Sequence, residues 1–460
     1  MNFISTRGRA APASFSDVLL AGLAPDGGLY LPQSWPRFSG NEIAAFKGMR
    51  YQDVAFTILS RFTAGTFSDA ELREAIEAAY ADFDAPEIAP LVEMGKGRYL
   101  LELFHGPTLA FKDIALQILG QLFSRALAKR GGRATVVAAT SGDTGSAAIA
   151  ALGGLPNILT VVLHPHNRVS DVQRRQMTTS PHANVANVAI TGSFDDAQSL
   201  VKALFADKAY AEEISLTAVN SINFARIAAQ CVYYFAATAQ LGEPATFVVP
   251  TGNFGDIFGG EAAMRMGLAA ARLVIATNAN DIMARALNEG VYVSGRAHAT
   301  LSPSMDIQVA SNFERALFEA GDRDGGWIAS AMNDFACSRR LVLPQAVLER
   351  LRARYSAFAS DDAETRAAIA VIYSQTGRII DPHTAVGVAA AMKMDRGSSP
   401  VVILSTAHPA KFPQAVSEAI GTPPQVPARL SGLEERAENY VVSAPEASLI
   451  KQIISSRLAA

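Results

Sequence analysis

The run Arg98-Tyr-Leu-Leu-Glu-Leu-Phe104, followed by His105-Gly-Pro-Thr-Leu-Ala-Phe-Lys-Asp113 and a long apolar-periodic segment to Arg130, decides how the chain is read. Residues 99–104 carry one charge among apolar side chains and read as a buried strand. Gly106-Pro107 breaks it. From about Leu109 onward, Phe111, Ala115, Ile118, Leu119, Leu122, Phe123 and Ala126 recur at helical spacing, and Gly131-Gly132 stops the helix. Lys112 therefore falls in the first turn of a mostly buried helix, just after a strand. The helix dipole disfavours a cation there, and apolar surroundings disfavour it again. Both push the amine towards the neutral, nucleophilic form that a Schiff-base lysine requires. The plainer alternative is a lysine that reaches the surface or pairs with Asp113.

Working outward, strands alternate with helices from residue 98 to about 280. Short β-branched or apolar runs stand at 135–139, 159–163, 185–190, 214–219, 246–249 and 273–276, with helical patterns such as 195–208 and 224–241 between them. That rhythm predicts an α/β fold of two open, mostly parallel sheets flanked by helices. Ahead of it, residues 1–95 form a small α/β unit. The turn Asp26-Gly-Gly28 leads into a short strand, and helices at 51–62 and 69–80 follow, the second capped by Ser68. After 281 the pattern is mixed. Residues 297–314 are polar, 346–373 read as helix, Asp381-Pro-His-Thr384 turns into an alanine-rich helix, and 421–460 form an appendage.

At 460 residues the chain has room for more than one domain. A hydrophobic fraction of 49%, a charged fraction of 18% and a net charge of −3 with no basic block argue against nucleic acid as partner. The two cysteines, Cys231 and Cys337, belong to no metal-binding cluster, which predicts no metal and a reducing, cytoplasmic setting. No apolar run approaches the roughly 20 residues of a membrane span, so no membrane partner is expected.

In parallel sheets ligands bind beyond the carboxyl ends of the strands. Three strand exits there carry unusual loops: Thr140-Ser-Gly-Asp-Thr-Gly-Ser146, Pro250-Thr-Gly-Asn-Phe-Gly-Asp256 and Ser405-Thr-Ala-His-Pro-Ala-Lys-Phe412. The first two have what an anion cradle needs: glycines that free backbone N–H groups, hydroxyl donors, and a helix N-terminus behind. Neither has the P-loop lysine or the dinucleotide glycine pattern.

These motifs, with Asn220-Ser-Ile-Asn-Phe-Ala-Arg-Ile227, Ser302-Pro-Ser-Met-Asp-Ile-Gln308 and the opening Ser5-Thr-Arg-Gly8, make a series in fixed order that resembles the threonine synthase family in its longer bacterial and fungal form. The resemblance covers nearly the whole chain. It implies a pyridoxal 5'-phosphate enzyme of fold type II, with a catalytic domain at 96–420 whose smaller lobe spans about 130–235. The implied reaction turns O-phosphohomoserine and water into threonine and phosphate, in a monomer or homodimer.

The same resemblance assigns roles. Lys112 would hold the cofactor as a Schiff base and then move protons at the substrate's Cα and Cβ. Gly252, Asn253, Phe254 and Gly255 would cradle the cofactor phosphate, and Thr406, or Ser405 instead, would meet its ring nitrogen. Ser141, Gly142, Asp143 and Thr144 resemble the loop that grips the substrate carboxylate. Shorter relatives carry asparagine in place of Asp143, at a contact with the cofactor's phenolic oxygen. Asp143 must then be protonated, or that contact must be made otherwise. Lys411 and Arg226 are the candidate cations for the substrate phosphate, with Asn223 and Ser304 as neutral donors. His105 either orients the cofactor ring or is a satisfied buried histidine, and Asp113 caps its own helix. A dehydratase of the same fold, a non-catalytic binder of a phosphorylated metabolite and a nucleotide-dependent oxidoreductase are the rival readings.

Overall fold

A computed structural model describes residues 1–217, 220–395 and 397–459. The larger sheet has six strands in the order Tyr355–Ala359, Arg272–Thr277, Thr246–Pro250, Val401–Ser405, Arg98–Glu102 and Leu91–Gly95. All neighbours run parallel except the last pair. The smaller sheet has five parallel strands, Val441–Ser443, Val185–Ile190, Ile158–Pro165, Ala134–Ala139 and Leu216–Thr217. Strands such as Thr246–Pro250 and Ile158–Pro165 are buried at every residue, because helices cover both faces of each sheet. The two-sheet α/β architecture is the one expected from the alternating pattern.

Three local readings differ. The helix expected over 346–373 is two helices, Gln345–Arg354 and Asp362–Thr376, with the strand Tyr355–Ala359 between them. The alanines favour helix by less than about 1 kcal/mol per residue. That preference loses to a full parallel ladder with Arg272–Thr277 and to the burial of Tyr355, whose hydroxyl donates to Glu261. Of the strand expected over 214–219, Leu216–Thr217 is strand, while 218 and 219 lie outside the described residues. The tail after 421 adds the edge strand Val441–Ser443 to the smaller sheet, and the helix Ala447–Ala459 buries Ile450 and Ile454 in the core beside Leu200 and Leu204.

The N-terminal residues pack onto the helix Phe224–Leu241. Phe3 and Phe62 lie 5.0 and 5.3 Å from the Phe224 ring, and Trp35 lies 6.2 Å from it. The helix Lys112–Lys129 is buried on nearly all sides and crosses the helix Asp143–Leu152 at Gly120. A Cβ on Gly120 would sit 2.4 Å from the Ala151 carbonyl oxygen. Gly120→Ala is therefore expected to destabilise the fold by about 1–3 kcal/mol, read as a lower urea midpoint with unchanged slope. An unchanged midpoint would mean that the two helices are free to separate.

Candidate active site

The exits of the neighbouring strands Arg98–Glu102 and Val401–Ser405 are laced together. Phe111 N–H donates to the Thr406 carbonyl at 2.8 Å and His408 N–H to the Leu109 carbonyl at 3.0 Å, with an antiparallel bridge between Ala110 and Ala407. Leu109 takes a left-handed φ of 60° to make the turn. Asp113 does not pair with Lys112. Its carboxylate accepts from Thr108 N–H at 2.8 Å and Thr108 Oγ1 at 2.6 Å, so it pins the loop that precedes its helix. Gly106 gives it room, since a Cβ there would lie 2.4 Å from Asp113 Cβ. Lys112 and Thr406 are fixed relative to one another by these bonds.

Between the sheets lies a cavity of about 620 Å³ lined by Lys112, Thr144, Arg226, the 250–257 loop, Ser304, His383 and Thr406. Lys112 is 8% exposed and faces this cavity. Burial lowers its amine below the usual lysine range, Lys411 and Arg226 add to that, and Asp143 opposes. The surface-lysine reading of Lys112 is thereby set aside.

Asp143 lies at the centre of a buried charge cluster. Its carboxylate meets Lys411 Nζ at 2.7 Å and Lys112 Nζ at 3.4 Å, and accepts from Gln173 Nε2 at 2.9 Å and Ser304 Oγ at 2.9 Å. Burial alone would raise its carboxyl, but Lys411, Lys112 and His383 hold it well below the usual carboxylate range. Asp143 is ionised, which corrects the protonated alternative. Lys411 is corrected as well. Its amine is fully buried, bonds Asp143 and the Thr108 carbonyl at 2.8 Å, and does not line the cavity. Gly142, at φ 144°, has no space for a Cβ, which would lie 2.5 Å from Gln173 Cδ. Thr144 lines the cavity, whereas Ser141 is exposed and outside its lining.

At the opposite wall Phe254 adopts a left-handed φ of 63° ahead of the helix Gly255–Arg265, whose first turn has no side-chain cap. Its N–H groups are left to whatever enters the cavity. A Cβ on Gly252 would stand 2.9 Å from the Ser304 carbonyl oxygen, so glycine is what fits against the turn Pro303–Met305. The Thr406 hydroxyl is buried without a partner, whereas Ser405 Oγ lies 3.1 Å from Thr384 Oγ1. Of the two hydroxyls, Thr406 is the one available.

Two residues of the constellation carried too weak a sequence signal. His383 accepts Ser304 N–H at Nε2, 3.2 Å away, which makes Nδ1 the donor to Asp381 at 2.9 Å. Asp381 also accepts from the Thr384 hydroxyl, which in turn meets Thr406 N–H at 3.2 Å. In sequence this stretch reads only as a turn into an alanine-rich helix. Asp256, the second residue of its helix, lines the cavity together with Arg226. His105 instead bonds Glu102 at 2.9 Å, outside the lining.

Arg226 is 4% exposed, lines the cavity and has no ion-pair partner among the described residues, with Nε buried and unbonded. Burial lowers its guanidinium to about 10. Asn223 does not share this setting. It caps the helix by accepting Ala225 N–H at 3.0 Å and donates to the Leu19 carbonyl at 2.8 Å, so its expected part in phosphate binding is corrected to a structural one.

Three family models match the chain: threonine synthase N terminus over residues 2–80, pyridoxal-phosphate dependent enzyme over 88–406, and threonine synthase C-terminal over 384–454. The chain belongs to the threonine synthase family. A threonine synthase of Pseudomonas aeruginosa is 48% identical over 460 residues, covering 99% of this chain and 98% of that protein. A pyridoxal-phosphate-bound threonine synthase of Brucella melitensis superposes with a TM-score of 0.98 at 47% identity, covering all of both chains. The yeast threonine synthase follows with a TM-score of 0.95 at 36% identity, covering 100% of this chain and 99% of its own. The chain is thus a pyridoxal-phosphate-dependent lyase of fold type II. The cavity suits that cofactor: an amine for its aldehyde, an uncapped helix N-terminus for its phosphate and an unpartnered hydroxyl at Thr406 for its ring nitrogen. Among the described residues no helix is long and apolar enough to cross a membrane.

Proposed function

We propose that this threonine synthase family member converts O-phospho-L-homoserine and water to L-threonine and phosphate, with Lys112 as its catalytic lysine and Arg226 as the cation for the substrate phosphate. The observation that carries the reading is one cavity that holds both a desolvated amine and a buried guanidinium that forms no ion pair among the described residues. A dehydratase acts on a substrate without a phosphate and would have no use for the second.

When bound, the cofactor supplies an electron sink for charge at the substrate's Cα. The chain's own residues do the rest. Lys112 holds the cofactor through its amine and then carries protons at Cα and Cβ, for which a low amine pKa is suited. The N–H groups from Gly252 to Gly255 hold the cofactor phosphate. Thr406 meets the ring nitrogen with a hydroxyl, which unlike a carboxylate does not favour its protonation. Of the 141–144 loop, Thr144 lines the cavity and receives the substrate carboxylate, helped by the N-terminus of the helix Asp143–Leu152. Asp143 acts behind these groups by neutralising Lys411 and aiming Ser304. The reading includes a small-molecule substrate, a cytoplasmic location, and a monomer or homodimer.

Incubating the purified chain with O-phosphohomoserine is expected to release threonine and phosphate in equal amounts. Phosphate accompanied by 2-oxobutyrate in place of threonine would overturn the synthase reading. Arg226→Gln is expected to raise KM roughly 10- to 100-fold, the worth of one or two charge-assisted hydrogen bonds.

A further inference from the structure

Besides Thr406 Oγ1, two buried polar atoms of cavity-lining residues have no partner among the described residues, and they carry opposite chemistry. Arg226 Nε is a donor, and Asp256 Oδ2 is an acceptor when ionised. Both residues line the cavity, at 4% and 7% exposure, and among the described residues neither forms an ion pair. The other carboxylate oxygen of Asp256 is taken. Tyr233 and Tyr234 both donate to Oδ1, the second at 3.2 Å, which fixes the carboxyl and leaves Oδ2 for a ligand.

An anion that answered Arg226 alone would meet the Asp256 carboxylate. The ligand must accept hydrogen bonds from the guanidinium and also share a hydrogen with Oδ2. A phosphate group does both, because its second ionisation lies near 6 and its oxygens take up a proton at little cost. We propose that Arg226 and Asp256 form one subsite for the substrate's phosphate group, in which a single hydrogen bridges a phosphate oxygen and Asp256 Oδ2. This rests on the reading above that Arg226 meets that phosphate, and it adds a residue of the opposite charge.

The surroundings of Asp256 favour such sharing. Burial pushes its carboxyl up to about 6, against the pull of Tyr233, Tyr234, Arg226 and Lys112, so that it matches a phosphate monoester. The remaining charged groups on elements packed against its helix are engaged elsewhere. Arg272 donates to the Arg352 and Tyr355 carbonyls, Glu314 pairs with Arg7, and Arg315 donates to Asn312. Glu319 pairs with Arg265 and Arg323, and Glu261 pairs with Arg265.

Inorganic phosphate and sulfate separate the possibilities when their binding to the cofactor-loaded enzyme is measured by calorimetry at about pH 8. Both are then tetrahedral dianions, but hydrogenphosphate brings a hydrogen for Oδ2 and sulfate brings none. Phosphate is expected to bind about 10- to 100-fold more tightly than sulfate, and Asp256→Asn, whose amide can donate to either, to bring the two within about threefold. Equal affinities in the unmodified protein, or a preference that survives Asp256→Asn, would overturn the proposal. So would a variant that loses the cofactor's visible absorbance while still preferring phosphate, since Asp256 would then serve the cofactor's phosphate. If the variant folds poorly, the unmodified protein decides. Sulfate can bind only when Asp256 takes up a proton, so its affinity is expected to rise about tenfold as the pH falls by one unit from 8, while that for phosphate stays level. A flat sulfate profile counts against the bridge. Arg226→Gln is the separate arm: weaker binding of both anions upholds the phosphate assignment whatever Asp256 does, and unchanged binding of both removes its foundation.

Discussion

Replacing Lys112 by alanine is expected to slow threonine formation about ten-thousandfold, the span of a lost acid–base group, while the chain still folds. The folding part follows from the cluster around it. Lys112 is 3.4 Å from Asp143, but Lys411 at 2.7 Å and the donors Gln173 and Ser304 continue to satisfy that carboxylate. Removing a desolvated amine from the first turn of a helix also relieves an unfavourable interaction with the dipole. The rate of phosphate release and the visible absorbance of the bound cofactor check both parts in one sample. A loss of less than about tenfold would assign covalent attachment and proton transfer to another residue, and Lys411 is poorly placed to substitute because its amine is fully buried against Asp143 and the Thr108 carbonyl.

Lys112, Thr406 and the loop from Gly252 to Gly255 were legible in the sequence because each signal is local. A strand, a glycine break and an apolar period locate the lysine, and a glycine-rich exit before a helix locates an anion cradle. The helix Phe224–Leu241 was legible in the same way, from its period and the αL glycine at its end. What could not be read depends on partners far along the chain. Nothing near Lys411 announces that its amine is consumed by a carboxylate at the start of a distant helix. Nothing near Asn223 shows that its amide reaches the Leu19 carbonyl across 204 positions. The strand Tyr355–Ala359 exists because Arg272–Thr277 offers an open edge, and its own alanines argue the other way. His383 and Asp256 looked like helix-start residues, a role that Asp381 fills for its helix. Only the folded chain turns them towards a common cavity.

The opposite substitution in the same cluster carries the largest expected effect on stability. Asp143→Ala takes from the buried Lys411 and Lys112 the one ion-pair partner that each has among the described residues, and breaking a buried pair from one side costs about 3–5 kcal/mol. Urea unfolding of the cofactor-free chain near neutral pH is where that deficit is read. Its pH dependence has a definite sign. The Asp143 carboxyl lies well below its ordinary value of 3.8 in the folded chain, so on acidification the unfolded chain takes up this proton first. The stability it contributes is complete above that ordinary value and is lost as the pH falls through the folded one. The unmodified protein and the variant should therefore be furthest apart above about pH 5 and draw together as the pH is lowered towards 3. Curves that stay parallel down to that pH would mean that the carboxylate is not the charge that balances the two lysines, and the cluster would have to be neutralised by deprotonation of Lys112 instead.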